Sequence, residues 1–270
     1  MSNDNRQPLI FLIGAGRMGG ALLRGWLAAG FPVGSLAVEE PNPAPELAAL
    51  LKEHAIAARP EAAPDVMVLA VKPQIMNEVL AGIAPLAGQN TAVLSIAAGR
   101  TVASIAAHFA PGMAIVRAMP NLPAEIGRGI TAAFANAHVT LPQRTLCDTL
   151  LRAAGEVAWI EDESLIDAVT AVSGSGPAYV FHLAECLTSA GVAAGLPQDL
   201  AARLARATVS GSGELLHLSP LPPSQLRENV TSPGGTTAAG LSVLMAEPGL
   251  KTLIRETIAA AARRSRELSS

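Results

Sequence analysis

At 270 residues the chain has the length of one or two domains and enough substance for a large core. Hydrophobic residues make up 50% of it and charged ones 15%, which excludes a largely disordered chain. A net charge of −3 with only 3% aromatics excludes the basic surface and stacking platforms that a nucleic-acid binder needs.

The start, MSNDNRQP, is polar and runs straight into an apolar segment, so no signal peptide is expected. Cys147 and Cys186 lie far apart without a C-x-x-C context. They are expected to be reduced, buried thiols of a cytoplasmic protein. Residues Leu9–Ile13 form a continuous apolar run that suits a strand buried on both faces. Gly14, Gly16 and Gly19 follow at G-x-G-x-x-G spacing, and Met18–Ala29 is predicted as a helix. In such a turn the first glycine permits the bend and the second lets backbone approach a pyrophosphate. The third lets helix and strand pack closely. The new helix then points unpaired N–H groups and its positive dipole end at that pyrophosphate.

Strand and helix signals alternate onward. Strands are predicted at Leu36–Glu39, Val66–Val71, Ala92–Ile96 and Ala114–Ala118, with helices at Pro45–His54, Pro73–Ala84 and Val102–Phe109. Further strands are expected at Gly129–Ala135 and Val157–Ile160, around a helix at Gln143–Ala154. This alternation implies an α/β fold, a Rossmann-type doubly wound parallel sheet. The charge-free stretch Val79–Gly99 holds Pro85, Gly88, Gln89 and Asn90 in its middle, which fits helix–turn–strand and not a membrane span.

Ligands on such sheets sit beyond the carboxyl ends of the strands, so the residues there matter most. Glu39 lies twenty positions past Gly19, where a carboxylate can accept hydrogen bonds from a ribose diol. Glu39 and Glu40 together would repel the extra phosphate of NADP, and no Arg or Lys stands close by in sequence. NADH is therefore the preferred cofactor, NADPH the other. Lys72, before Pro73, is placed to reach a phosphate or ribose. The small residues of Ser95–Gly99 let a ribose or nicotinamide lie close to backbone, and Asn121 stands near the same edge.

From Asp162 onward strand signals vanish. Leu165, Ile166, Val169 and Val172 recur at helical spacing, and Ser173–Gly176 is expected to break that helix. Helices are predicted from Pro177 to about Ala194 and at Gln198–Leu218, Ser224–Asn229, Ala238–Met245 and Gly249–Leu268. The division is a dinucleotide-binding domain at 1–162 and an all-helical domain at 163–270. So small an apolar helical set has little core of its own, which points to a homodimer formed through this half. Within it, Asn229–Thr237 (NVTSPGGTT) offers Ser232 as N-cap and Pro233 as first helical residue. Two glycines and two threonines there supply bare N–H groups and hydroxyls, a pocket for a small carboxylate. The five histidines show no metal-ligand spacing, and no metal site is expected.

The chain resembles the pyrroline-5-carboxylate reductases from Ile10 to Leu268. The likeness rests on FLIGAGRMGGAL, AVKPQ, SIAAG, R-x-MPN-x-P and above all DAVTAVSGSGPAY and ENVTSPGGTT. It implies reduction of Δ1-pyrroline-5-carboxylate to L-proline, the last step of proline biosynthesis, by a homodimer that assembles into a larger homo-oligomer. It also implies cofactor contacts at Gly14, Ala15, Gly16, Arg17, Met18, Ala70, Lys72, Pro73, Ala97 and Ala98, with Asn229 reaching from the helical domain. Glu163, Ser232, Gly235, Thr236 and Thr237 are the implied substrate pocket, Thr237 being the catalytic position. Many relatives carry serine, threonine or a basic residue where Glu39 and Glu40 stand, a departure that again favours NADH. A 3-hydroxyacid-type dehydrogenase would need a catalytic lysine on a helix after the sheet, and Lys251 is the sole lysine beyond Lys72. A non-catalytic dinucleotide-binding protein is the other alternative.

Overall fold

A computed structural model of the chain describes residues 6–269. The chain forms two compact units. One runs to Gly174, past the expected 162/163 boundary, and takes in the end of the chain from Ala262; the other is Ser175–Ala261.

The first unit holds strands β1 (Ile10–Ile13), β2 (Leu36–Glu39), β3 (Val66–Leu69), β4 (Ala92–Ser95), β5 (Ala114–Met119), β6 (Gly129–Ala135) and β7 (Gly155–Trp159). Between them run helices α1 (Arg17–Ala28), α2 (Pro45–Glu53), α3 (Met76–Ile83), α4 (Val102–Ala106) and α5 (Leu141–Arg152), and α6 (Ile166–Val169) follows. The strands make one sheet in the order β2-β1-β3-β4-β5-β6-β7. The first five run parallel, as the strand–helix alternation predicts. β6 departs from that pattern and runs antiparallel to β5. Only a short loop with a 3₁₀ turn at Leu122–Ile126 joins the two, and a parallel return needs a crossover of a dozen residues or more.

Both faces of the sheet are covered over β1–β5, which is why those strands are apolar without alternation, whereas β7 alternates half-buried and exposed positions. Ile10 and Leu12 pack with Leu22, Leu23, Trp26 and Leu150 on one side. Phe11 and Ile13 pack with Met76, Leu80, Ile83 and Ile105 on the other. Each such side chain removed from water stabilises by roughly 1.5–3 kcal/mol. Polar pins fix the helices: the indole N–H of Trp26 donates to the carbonyl of Leu150 at 2.8 Å, tying α1 to α5. α5 starts at Leu141, ahead of the expected Gln143, because Thr140 and Gln143 form a reciprocal capping box. Similarly, the helix expected at Pro73–Ala84 divides into a 3₁₀ turn at Pro73–Ile75, then α3, then a second 3₁₀ turn at Ala84–Leu86 that contains Pro85.

Ser173–Gly176 does not break the chain's helical course as expected. Thr170–Gly174 instead forms a π-turn that leads into α7 (Gly176–Ala193). π-turns of this kind concentrate at functional sites. Then come α8 (Gln198–Leu218), α9 (Pro223–Asn229), α10 (Thr236–Leu244) and α11 (Leu250–Ser269), the end of which belongs to the first unit. Among the described residues of the second unit, the fully buried hydrophobics are Ala201 and Ala205. Phe181, Leu183, Leu187 and Val243 are exposed in the single chain. Cys147 is buried as expected, whereas Cys186, on α7, is exposed. No helix is long and apolar enough to cross a membrane, and no group of three or more His, Cys, Asp or Glu is placed to hold a metal, among the described residues.

Candidate active site

The three glycines of the first turn separate by what surrounds them. Gly14 has φ +87°, and a Cβ there would sit 2.9 Å from the carbonyl of Ala70. A Cβ on Gly19 would sit 2.2 Å from the carbonyl oxygen of Gly14. Neither position admits a side chain. Gly16 has nothing within 4 Å of where its Cβ would be, so the turn is open where a pyrophosphate would approach. Gly16 is also the N-cap of α1, with no capping side chain and no acidic residue in the first turn. The N–H groups of α1's first turn are therefore left uncapped, as a site for an anion requires. α1 packs on one face of the sheet and α3 on the other. The turn thus lies at the switch between β1 and β3, beside Ala70. A dinucleotide fits this cradle.

At the end of β2 the structure adds what sequence spacing hid. Glu40 accepts the backbone N–H of Ala15 at 2.9 Å and that of Asn42 at 3.2 Å, so its carboxylate braces the glycine turn. Glu39 accepts from the guanidinium of Arg59 at 2.8 Å. No Arg or Lys is close to Glu39 in sequence, but the fold returns Arg59, twenty positions away, to its side. The other oxygen of Glu39 is buried and has no donor.

Along the same carboxyl edge, Lys72 closes the turn after β3, its carbonyl accepting the N–H of Ile75, and has no carboxylate partner among the described residues. Pro73 follows as the first residue of a 3₁₀ turn. Ala97 is buried after β4, with Ala98 exposed beside it. Arg100, which sequence reasoning passed over, hydrogen-bonds Asn77 at the start of α3, and its buried Nε lacks a partner. The side chain of Arg17 pairs with Glu125 at 2.9 Å. Asn121 is engaged twice, donating to the hydroxyl of Ser173 at 3.2 Å and accepting the N–H of Ile130 at 3.0 Å. It braces the loop after β5.

Glu163, an expected substrate contact, lies in the first unit. Its Oε1 accepts from Arg117 at 2.7 Å and from the N–H of Val102 at 2.8 Å. Arg117 is buried in β5, and Glu163 neutralises it while accepting the first N–H of α4, whose N-cap is Thr101. That oxygen is fully committed to the fold. An arginine inside the apolar strand AIVRAM was a visible sign that a carboxylate had to meet it.

The remaining expected substrate residues lie together in the second unit, before and at the start of α10. Ser232 is not the N-cap: Gly235 is, and Ser232 and Pro233 open a tight turn that carries Gly234 at φ +70°. The N–H of Gly235 donates to the carbonyl of Ser232 at 3.0 Å. A Cβ on Gly235 would sit 2.6 Å from the Ser232 hydroxyl oxygen, so the glycine admits the serine side chain. Thr236 and Thr237 are the first two helical residues, with no side-chain cap on their N–H groups. The same short segment thus holds uncapped N–H groups and three hydroxyls, the donor set a carboxylate needs. Asn229 ends α9 and accepts from Gln225 at 3.1 Å.

A doubly wound sheet with an open glycine turn, followed by an all-helical region, defines a Rossmann-type dinucleotide-binding oxidoreductase architecture. Residues 9–99 match the family model described as NADP oxidoreductase, coenzyme F420-dependent, and residues 163–268 match that of pyrroline-5-carboxylate reductase dimerisation. A pyrroline-5-carboxylate reductase of Pseudomonas aeruginosa is 40% identical, over 97% of each chain. The solved pyrroline-5-carboxylate reductase of Coxiella burnetii shares 32% identity and superposes with a TM-score of 0.90, over 98% of this chain and 100% of that one. The Plasmodium falciparum pyrroline carboxylate reductase, solved with NADP bound, shares 29% identity and a TM-score of 0.79, over 97% and 98%. The chain belongs to the pyrroline-5-carboxylate reductase family.

Proposed function

We propose that this chain is an NAD(P)H-dependent oxidoreductase that reduces Δ1-pyrroline-5-carboxylate to L-proline, completing proline biosynthesis. Full-length kinship with reductases of that name carries the assignment, and the open cradle at Gly16 supports it. The two alternatives weighed from sequence, a 3-hydroxyacid-type dehydrogenase and a non-catalytic dinucleotide binder, have no comparable support.

The substrate is a cyclic imine bearing a carboxylate, and its protonated form is already electrophilic. NAD(P)H supplies a hydride to the imine carbon while the nitrogen keeps its proton, which gives the secondary amine. The protein's task is chiefly to hold the imine carbon in line for attack. Gly14, Ala15, Gly16, Arg17 and Met18 would hold the pyrophosphate, and Ala70, Lys72, Pro73, Ala97, Ala98 and Asn229 the rest of the cofactor. Ser232, Gly235 and Thr236 would bind the carboxylate through hydroxyls and N–H groups. Thr237 would hydrogen-bond the ring nitrogen and relay a proton through its hydroxyl and water, since a hydroxyl is too weak an acid to be the main donor. Glu163 ties β5 to the start of α4 through Arg117 and the N–H of Val102.

The two carboxylates at the end of β2 favour NADH over NADPH, because a 2′-phosphate brought to Glu39 meets like charge. The exposed apolar faces of the helical unit support a homodimer, with assembly into a larger homo-oligomer, in the cytoplasm. Purified protein mixed with NADH and pyrroline-5-carboxylate should consume the reduced nicotinamide absorbance; no consumption with either cofactor would reject the assignment. Thr237→Val should lower turnover by about tenfold to a hundredfold and leave NADH binding in place, as read by steady-state kinetics and cofactor titration. Unchanged kinetics would remove Thr237 from the mechanism.

A further inference from the structure

We propose that Arg59 is a latent 2′-phosphate site held shut by Glu39, so that one carboxylate decides between the two nicotinamide cofactors. The inference deepens the NADH reading and rests on it. Its basis is the path of the chain after α2. Ala55 adopts a left-handed conformation, φ 49°, as the chain turns back. The chain then runs along the outer edge of β2: Ala57 forms a parallel bridge with Ala37, and its carbonyl accepts the N–H of Val38 at 2.8 Å. Continued two residues further, that register sets Arg59 level with Glu39. This is the lip of the sheet where an acidic residue at the end of β2 meets the adenosine ribose.

The pair itself is unevenly satisfied. Arg59 uses one donor, to a single oxygen of Glu39 at 2.8 Å, and its side chain remains 55% exposed. It has no other partner among the described residues. A guanidinium has five donors in a planar fork, a match for phosphate oxygens. Glu39, for its part, has a buried oxygen with no donor. A ribose hydroxyl can donate to the exposed part of this carboxylate, whereas a phosphate presents acceptors only. With Glu39 in place the cation is neutralised and a phosphate meets repulsion. Without it, the whole fork faces the 2′ position. Glu40 does not compete for Arg59, because both of its oxygens accept backbone N–H groups of the turn.

The test uses the full chain as wild type, Glu39→Ser, Glu39→Gln, Arg59→Ala and Glu39→Ser/Arg59→Ala. Two readouts are taken: kcat/KM with NADH and with NADPH, and calorimetric binding of adenosine 2′,5′-bisphosphate, which needs no turnover. Glu39→Ser and Glu39→Gln should raise NADPH efficiency and bisphosphate affinity about tenfold or more. The double variant should lose that gain. A gain that survives in the double variant would overturn the role of Arg59. Failure of both single variants to gain, with NADH still preferred by wild type, would overturn the latent site and leave the NADH reading standing. A wild-type preference for NADPH would overturn both.

Discussion

The two units of this chain solve opposite problems. In the first, strands β1–β5 are covered on both faces, and the buried Arg117 is matched by Glu163. In the second, two alanines are fully buried, while Phe181, Leu183, Leu187 and Val243 stand in the open. One unit is complete as a fold and can hold a cofactor turn in a fixed shape. The other has apolar faces that only further protein surface can cover. The difference teaches where each unit gets its rigidity: the first from sheet packing within itself, while the exposed apolar side chains of the second leave it to gain rigidity from what covers them.

The comparison sharpens if the glycine turn is changed one position at a time. Gly19→Ala drives a methyl to within 2.2 Å of the Gly14 carbonyl oxygen, so it should disrupt the packing of α1. We expect destabilisation by about 3 kcal/mol or more and loss of activity by at least about a hundredfold. Gly16→Ala meets no protein atom, so it should leave the melting temperature nearly unchanged and weaken NADH binding alone. Equal unfolding by both variants would show that the turn is merely structural. Arg117→Met leaves Glu163 without its cation and should cost about 2–3 kcal/mol in a denaturant titration. On the other unit, Phe181→Glu should weaken the dimer by about 2 kcal/mol, roughly thirtyfold in dissociation constant, while NADH still binds. Sedimentation shows the first effect and cofactor titration the second.

The smallest effect concerns the thiols. Burial pushes the Cys147 thiol up to about 12, because a thiolate inside the core loses its hydration. An unfolded thiol ionises near 9.0, so this group favours the folded state fully below that pH and loses its contribution as pH rises towards 12. Alkylation of Cys147 in folded protein should therefore stay slow through pH 9, in contrast to exposed Cys186, as mass spectrometry of modified peptides would show.

Much of the first unit was legible in sequence because its signals are local. The apolar runs at Leu9–Ile13 and Val66–Val71 hold the interior strands β1 and β3, and the glycine spacing marks the turn between β1 and α1. What escaped was non-local or depended on a backbone choice. Arg59 reaches Glu39 through a chain reversal after α2 that no periodicity encodes. The antiparallel entry of β6 follows from a loop too short to cross over, a constraint that strand periodicity does not encode. In the second unit, Ser and Pro at 232 and 233 carry a helix-start pattern, yet Gly234 and Gly235 permit a tighter turn and delay the helix to Thr236. The π-turn at Thr170–Gly174 likewise took glycine and serine as an adjustment within helix, where composition had pointed to a break.

The central proposal is that this chain passes a hydride from reduced nicotinamide to the imine carbon of pyrroline-5-carboxylate. Reduced nicotinamide carrying deuterium at its transferable position, incubated with this protein and pyrroline-5-carboxylate, tests it most directly. The account predicts proline with one deuterium on the ring carbon next to nitrogen, seen by mass spectrometry and NMR. Proline without label, or no oxidation of the nicotinamide, would contradict it.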